Sequence, residues 1–204
     1  FRPAPVNGRD RLLEAGLKLV RKQGFAGTSV DQLCTEAGVT KGAFFHHFPS
    51  KEALGVALAD YWSGSTGSFF AAAPFHGLAD PVARVLGYID LRIALLAGPV
   101  EQFSCVAGTM VQEAFQSSEP IRAACEASIM GNAHALEADI AAAIEQSGAK
   151  GVTAGGLARH VQAVIQGAFV LAKARGGDCA AELAQEQLHH LRRYFELLLA
   201  KEPA

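Results

Sequence analysis

Leucine and alanine recur at steps of three and four residues along almost the whole chain, and nowhere does an apolar–polar alternation of period two persist. That pattern predicts an all-α protein. A first helix is predicted over 8–24, with Leu12, Leu13, Leu17 and Val20 on one side, stopped at Gly24 and followed by Phe25 as an anchor. A second is predicted from Thr28 to Ala37, the Thr28 hydroxyl capping free N–H groups with Asp31 as its capping-box partner three residues on. Gly38 ends it, since glycine tolerates the left-handed backbone that helix C-termini often adopt. Val39 opens a tight turn, Thr40 caps a short third helix to about His47, Phe48-Pro49 closes it, and Ser50 caps a fourth over 51–70.

Residues 71–77 read as a linker. Asp80-Pro81, a cap followed by proline at the first helical position, starts a helix to about Ala97 that Gly98-Pro99 breaks. Further helices are predicted over about 101–116, from Glu119-Pro120 to near Ser147-Gly148, over 154–175 behind Thr153, and over 179–200 behind Asp178, with Gly176-Gly177 separating the last two.

Charge changes the picture. The formal net charge is −2, but residues 1–51 carry eight Lys/Arg (Arg2, Arg9, Arg11, Lys18, Arg21, Lys22, Lys41 and Lys51) against four acids, a net +4, and the remainder is −6. A basic head on an acidic body suits a chain whose one end meets phosphate. The four cysteines, Cys34, Cys105, Cys125 and Cys179, are scattered, with no CxxC pair and no zinc-ligand spacing, so a reducing cytoplasm is the expected setting and neither a metal nor a cofactor is expected. No apolar run reaches the roughly 18 residues a membrane span needs. No nucleophile elbow, GxGxxG loop, P-loop or HExxH pair occurs, and the adjacent His189-His190 point different ways on a helix. An enzyme is therefore not expected.

Two short helices joined at Ala37-Gly38-Val39, with a third packed before them, make a helix-turn-helix arrangement. Thr40-Lys41-Gly42-Ala43 opens the last of these helices with small residues that let backbone approach a groove, while Thr40 and Lys41 offer donors. Thr28, Ser29 and Lys51 stand at helix starts, where a phosphate can be held. A three-helix bundle that binds a protein partner and no DNA fits the same spacing.

The run Gly24-Phe25-Ala26-Gly27-Thr28-Ser29-Val30, with Ala37-Gly38-Val39-Thr40-Lys41-Gly42-Ala43-Phe44-Phe45-His46-His47-Phe48-Pro49-Ser50-Lys51-Glu52-Ala53-Leu54, resembles the DNA-binding domain of the TetR family. The resemblance implies about nine helices: a DNA-binding head over 1–50 and an effector-binding, dimerising body over 51–204. It implies a repressor, released from a palindromic duplex operator by a small organic effector. It also implies that Thr28 and Ser29 hold a phosphate, that Thr40, Lys41 and Gly42 enter the groove, and that His47 and Lys51 contact the DNA backbone. Phe45 counts among the DNA-binding positions by the same resemblance but stands where the family usually has tyrosine, so a phosphate-binding hydroxyl is lost and Phe45 is expected to be mostly packing, with His46 facing DNA or solvent.

For the effector, the aromatic residues Trp62, Phe69, Tyr88, Phe103 and Phe169 are candidates, with Arg92, Thr109, Glu113 and His134 as polar partners. Ser104-Cys105 through Glu113 is similar to a Gly-Cys segment with a following Glu in one TetR subgroup, where Ser104 replaces the glycine. Cys105 is accordingly expected to line the pocket, or alternatively to sense electrophiles or oxidants. Val161, Val164, Ile165, Ala168 and Phe169, then Leu183, Leu188, Leu191, Tyr194, Phe195 and Leu198, form wide apolar faces expected to pair two copies through the last two helices.

Overall fold

The computed structural model describes residues 7–200, so Arg2 of the basic head lies outside the described residues. Its helices are α1 (Gly8–Gln23), α2 (Val30–Ala37), α3 (Lys41–His47), α4 (Lys51–Ala71), α5 (Pro81–Ala94), α6 (Val100–Phe103), α7 (Val106–Ala114), α8 (Glu119–Ser147), α9 (Ala154–Arg175) and α10 (Ala180–Leu198), with a 3-10 turn at Pro74–Gly77 inside the expected linker. No strand occurs among the described residues. The fold is all-α, as the periodicity predicts.

The chain forms two compact units, which divide within α4 and within α8. The first holds residues up to Ser65 together with Ser104–Ile129. The expected boundary after residue 50 is therefore not where the compact units part. The reason is packing. Leu54 and Leu58 of α4 are fully buried, and Gly16 of α1 sits so close to Leu58 that a Cβ there would come within 2.8 Å of it. Gly55 likewise faces Ile121 and Phe25 at 2.9 and 3.0 Å from where its Cβ would be.

Within this unit Asn7 caps α1 by accepting the Asp10 N–H, and Leu12, Leu13, Leu17 and Val20 face inward. At α2 the cap is one residue later than expected. Ser29, not Thr28, accepts the Gln32 N–H at 3.1 Å, and Gln32, not Asp31, completes the box by accepting the Ser29 N–H at 2.8 Å. Thr28 instead donates its hydroxyl to the Gly24 carbonyl at 2.6 Å and its N–H to the Phe25 carbonyl, so it belongs to the turn before the helix. Gly38 takes the left-handed conformation (φ 61°, ψ 41°) as expected.

The single helix expected over 101–116 is two. Cys105 adopts extended backbone (φ −83°, ψ 125°) and caps α7, its Sγ accepting the Gly108 N–H at 3.3 Å. This break brings the α-helices among the described residues to ten where the resemblance implies nine.

The second unit is built on α5, α6, α9, α10 and the far parts of α4 and α8. Asp80 caps α5 ahead of Pro81 and Thr153 caps α9, both as read from the sequence. Asp178 does not cap α10. Gly176 and Gly177, at φ 61° and 63°, fold the chain into a turn that puts Cys179 at the cap position, with no side-chain cap bond. Arg84 joins Asp139 at 2.6 Å and donates to the Leu78 and Ala79 carbonyls, and Arg192 pairs with Asp90 at 2.6 Å and with Glu196. Most of the apolar faces expected to pair two copies is internal core: Val161, Ile165, Ala168, Phe169, Leu188, Leu191 and Phe195 are buried within one chain. The exposed large apolar side chains on these helices are Val170, Leu171, Tyr194 and Leu197.

Candidate nucleic-acid interface

The first unit presents the start of α3 to solvent. Thr40 caps the helix, its hydroxyl accepting the Ala43 N–H at 3.1 Å, and Thr40, Lys41 and Gly42 are all exposed. A Cβ added at Gly42 would find the Thr40 hydroxyl as its nearest neighbour, at 3.8 Å. The fold therefore leaves room for a side chain here, and the bare backbone suits close approach by something outside the protein. Lys41 holds its ammonium 3.0 Å from Asp31, with both groups exposed, so it is parked at the surface and easily released.

The two adjacent phenylalanines part company. Phe44 is fully buried, 6.0 Å from the Phe48 ring. Phe45 is 50% exposed, which corrects the expectation that it is mostly packing. A seven-residue helix buries one side, and Phe45 falls on the side that carries Lys41, Gly42 and His46. His47 is half-buried, its ring 5.0 Å from that of His46 and close to Gly8 at the start of α1.

Thr28 is 1% exposed with its hydroxyl given to Gly24, so it presents no group to a phosphate. Ser29 is exposed beside it. Lys51 is half-buried and turned inward: its ammonium lies 4.6 Å from the Phe25 ring centre and 3.4 Å from the Ala26 carbonyl. Burial pulls this ammonium below the ordinary lysine range, against the opposing charge of Glu113. Nothing in the residue pattern singles out Arg11, which reaches the Gly38 carbonyl at 3.4 Å, or the Lys18–Glu36 pair at 2.6 Å; both fix α1 against the helix-turn-helix.

The ten effector candidates are divided between the units. Trp62, Cys105, Thr109 and Glu113 belong to the first, and Phe69, Tyr88, Arg92, Phe103, His134 and Phe169 to the second. In the first unit Trp62 lies under the Arg21 guanidinium at 5.3 Å, and the Thr109 hydroxyl donates to the Cys105 carbonyl. Glu113 is exposed and accepts the Ala26 N–H at 2.6 Å, so it holds the turn between α1 and α2. Two candidates of the second unit lie at its surface. Phe69 is exposed, and His134 is at the surface, 3.6 Å from Glu137.

The remaining four are gathered in two ring groups. Arg92 donates to the Tyr88 hydroxyl at 2.8 Å and stacks 3.9 Å over Phe70, while Phe103 meets Phe169 at 6.1 Å. Gln162, which the sequence reading does not single out, is 6% exposed, and its Nε2 has no partner among the described residues. It lies two turns before Phe169 on the same face of α9. Among the described residues no three potential ligands gather to hold a metal ion.

Comparison with known proteins agrees with this geometry. The family model for bacterial regulatory proteins of the tetR family matches residues 12–58, and that for the LmrA/YxaF-like C-terminal domain matches 81–187, just over half the chain. LmrA, an HTH-type transcriptional regulator of Bacillus subtilis (strain 168), is 25% identical over 173 residues, covering 81% of this chain and 86% of its own. YerO of the same organism is 39% identical over 56 residues, a match that covers 28% of this chain and 19% of YerO. The crystal structure of the reduced form of Escherichia coli NemR shares the fold with a TM-score of 0.76 and 24% identity, covering 91% of this chain and 95% of that one. The chain belongs to the TetR family and is a helix-turn-helix transcriptional regulator.

Proposed function

We propose that this regulator is a cytoplasmic repressor that binds a palindromic operator as a homodimer and leaves it when a small organic effector binds. The observation that carries the DNA-binding half is the start of α3, where Lys41, Gly42 and Phe45 face outward over a buried Phe44. Thr40, Lys41, Gly42 and Phe45 enter the major groove, and Ser29, His47 and Lys51 serve the phosphates. Repression follows the E. coli relative named HTH-type transcriptional repressor NemR, 28% identical over 123 residues. Reading of DNA falls to residues 1–50, and effector binding and pairing to 51–204. Among the described residues no helix is long and apolar enough to cross a membrane.

For the effector, the second unit offers the Tyr88–Arg92–Phe70 stack, the Phe103–Phe169 pair and the unpartnered Gln162 amide. An aromatic molecule with a hydrogen-bond acceptor suits that set. Sensing by thiol chemistry is the weaker reading. Cys105 is buried, and its neighbour Cys125 is pushed up to about 12, first by burial and then by the Cys105 charge, so Cys125 stays a neutral thiol at physiological pH.

Selection from a randomised duplex pool at fixed salt tests the proposal. The expected survivor is a palindrome with half-sites about one helical turn apart. Lys41→Ala is expected to weaken binding to it by about 1–3 kcal/mol. No enrichment by the folded dimer would overturn the reading and favour a protein partner instead.

A further inference from the structure

Ala26, in the turn between α1 and α2, is held from both sides. Its N–H donates to Glu113 Oε2 at 2.6 Å, across 87 residues of sequence, and its carbonyl accepts from the Lys51 ammonium at 3.4 Å. Gly24, two residues earlier at φ 84°, wraps the turn so closely that a Cβ would run into the Glu113 carboxylate. The neighbouring contacts are firm: Ser118 donates to Glu52 at 2.5 Å, and Ile121 and Phe25 crowd Gly55. The carboxylate is thus anchored at the N–H of the same residue, Ala26, whose carbonyl takes the Lys51 ammonium, and its charge favours that ammonium.

We propose that Glu113 is a positioning residue for DNA binding: its carboxylate holds the α1–α2 turn and keeps Lys51 turned in, so that Lys51 reaches a phosphate only by leaving that carboxylate's field. The consequence is a brake on affinity set by a residue outside the helix-turn-helix. The proposal rests on the reading of Lys51 as a phosphate contact. Glutamine at 113 keeps an oxygen for the Ala26 N–H and removes the charge, whereas alanine removes both.

The test is binding of a labelled random-sequence duplex across a salt series, since phosphate contacts need no particular sequence. Glu113→Gln is expected to tighten binding about two- to fivefold at low salt. Its affinity should fall more steeply with salt than that of the wild type, the gain fading as the charges are screened. Glu113→Ala is expected to bind less tightly than Glu113→Gln, because the turn carrying Ser29 loses its acceptor. In a Lys51→Ala background, Glu113→Gln is expected to change nothing. Thermal melts check that each variant folds. Wild-type affinity and salt slope in Glu113→Gln, with Lys51→Ala weakened, would overturn the positioning role alone. A gain that survives without Lys51 would overturn it too. Lys51→Ala with an unchanged salt slope would instead sink the phosphate reading beneath it.

Discussion

Phe44→Ala is expected to lower the stability of the first unit by about 3–5 kcal/mol, the usual cost of emptying a phenylalanine site in a core. The phenyl ring is fully buried and packs on Phe45 and Phe48, so nothing nearby fills the space without moving α3. Total stabilities of small domains run to about 5–15 kcal/mol, so this loss threatens the head outright. Phe45→Ala, one position along, is expected to shift stability by less than about 1 kcal/mol, since half of that side chain already faces water. Its effect should fall on DNA binding. Urea unfolding of the two variants side by side, with operator binding measured on each, separates packing from recognition. Equal losses of stability would contradict the burial assigned to the two rings.

The double substitution Leu171→Glu with Leu197→Glu is expected to yield a folded monomer that loses about two orders of magnitude or more in affinity for a palindromic operator. Both side chains are largely in water in the single chain, 45% and 62% exposed, so charge there costs the fold little. In the proposed pairing through the last two helices the same carboxylates would be buried without partners, which is strongly unfavourable. Sedimentation of the wild type and the variant gives the mass directly. A variant that still sediments as a dimer would place the interface elsewhere than the exposed face of α9 and α10.

How far the sequence can be read depends on how local each cause is. Gly24, Gly38, Asp80-Pro81 and Thr153 punctuate their helices through bonds to residues no more than five away, and each is legible. The cap of α2 falls one residue past the expected Thr28 because that hydroxyl is drawn back to Gly24, a choice between two neighbours that composition does not settle. The break at Ser104-Cys105 carries no glycine or proline to announce it; a cysteine caps there. Within α3, seven residues are too few for a period to tell Phe44 from Phe45. Glu113 reads as a pocket residue because its partner, Ala26, is distant in sequence. In α9 and α10 the apolar positions are plain from their spacing, but their division between one chain's core and an exposed face follows from how those helices pack.

The cysteines have a use that their chemistry in the cell does not suggest. Three are buried, and burial holds the Cys34 and Cys125 thiols above the ordinary range, so neither offers much thiolate to an alkylating reagent at neutral pH. Cys179 alone is exposed, at the turn that precedes α10. The unmodified chain therefore carries a single addressable handle, and a maleimide dye or spin label should attach there with one-to-one stoichiometry, countable by mass spectrometry. In a symmetric pair the two labels would be related by the twofold axis, and their separation would report association of the copies without any engineered residue.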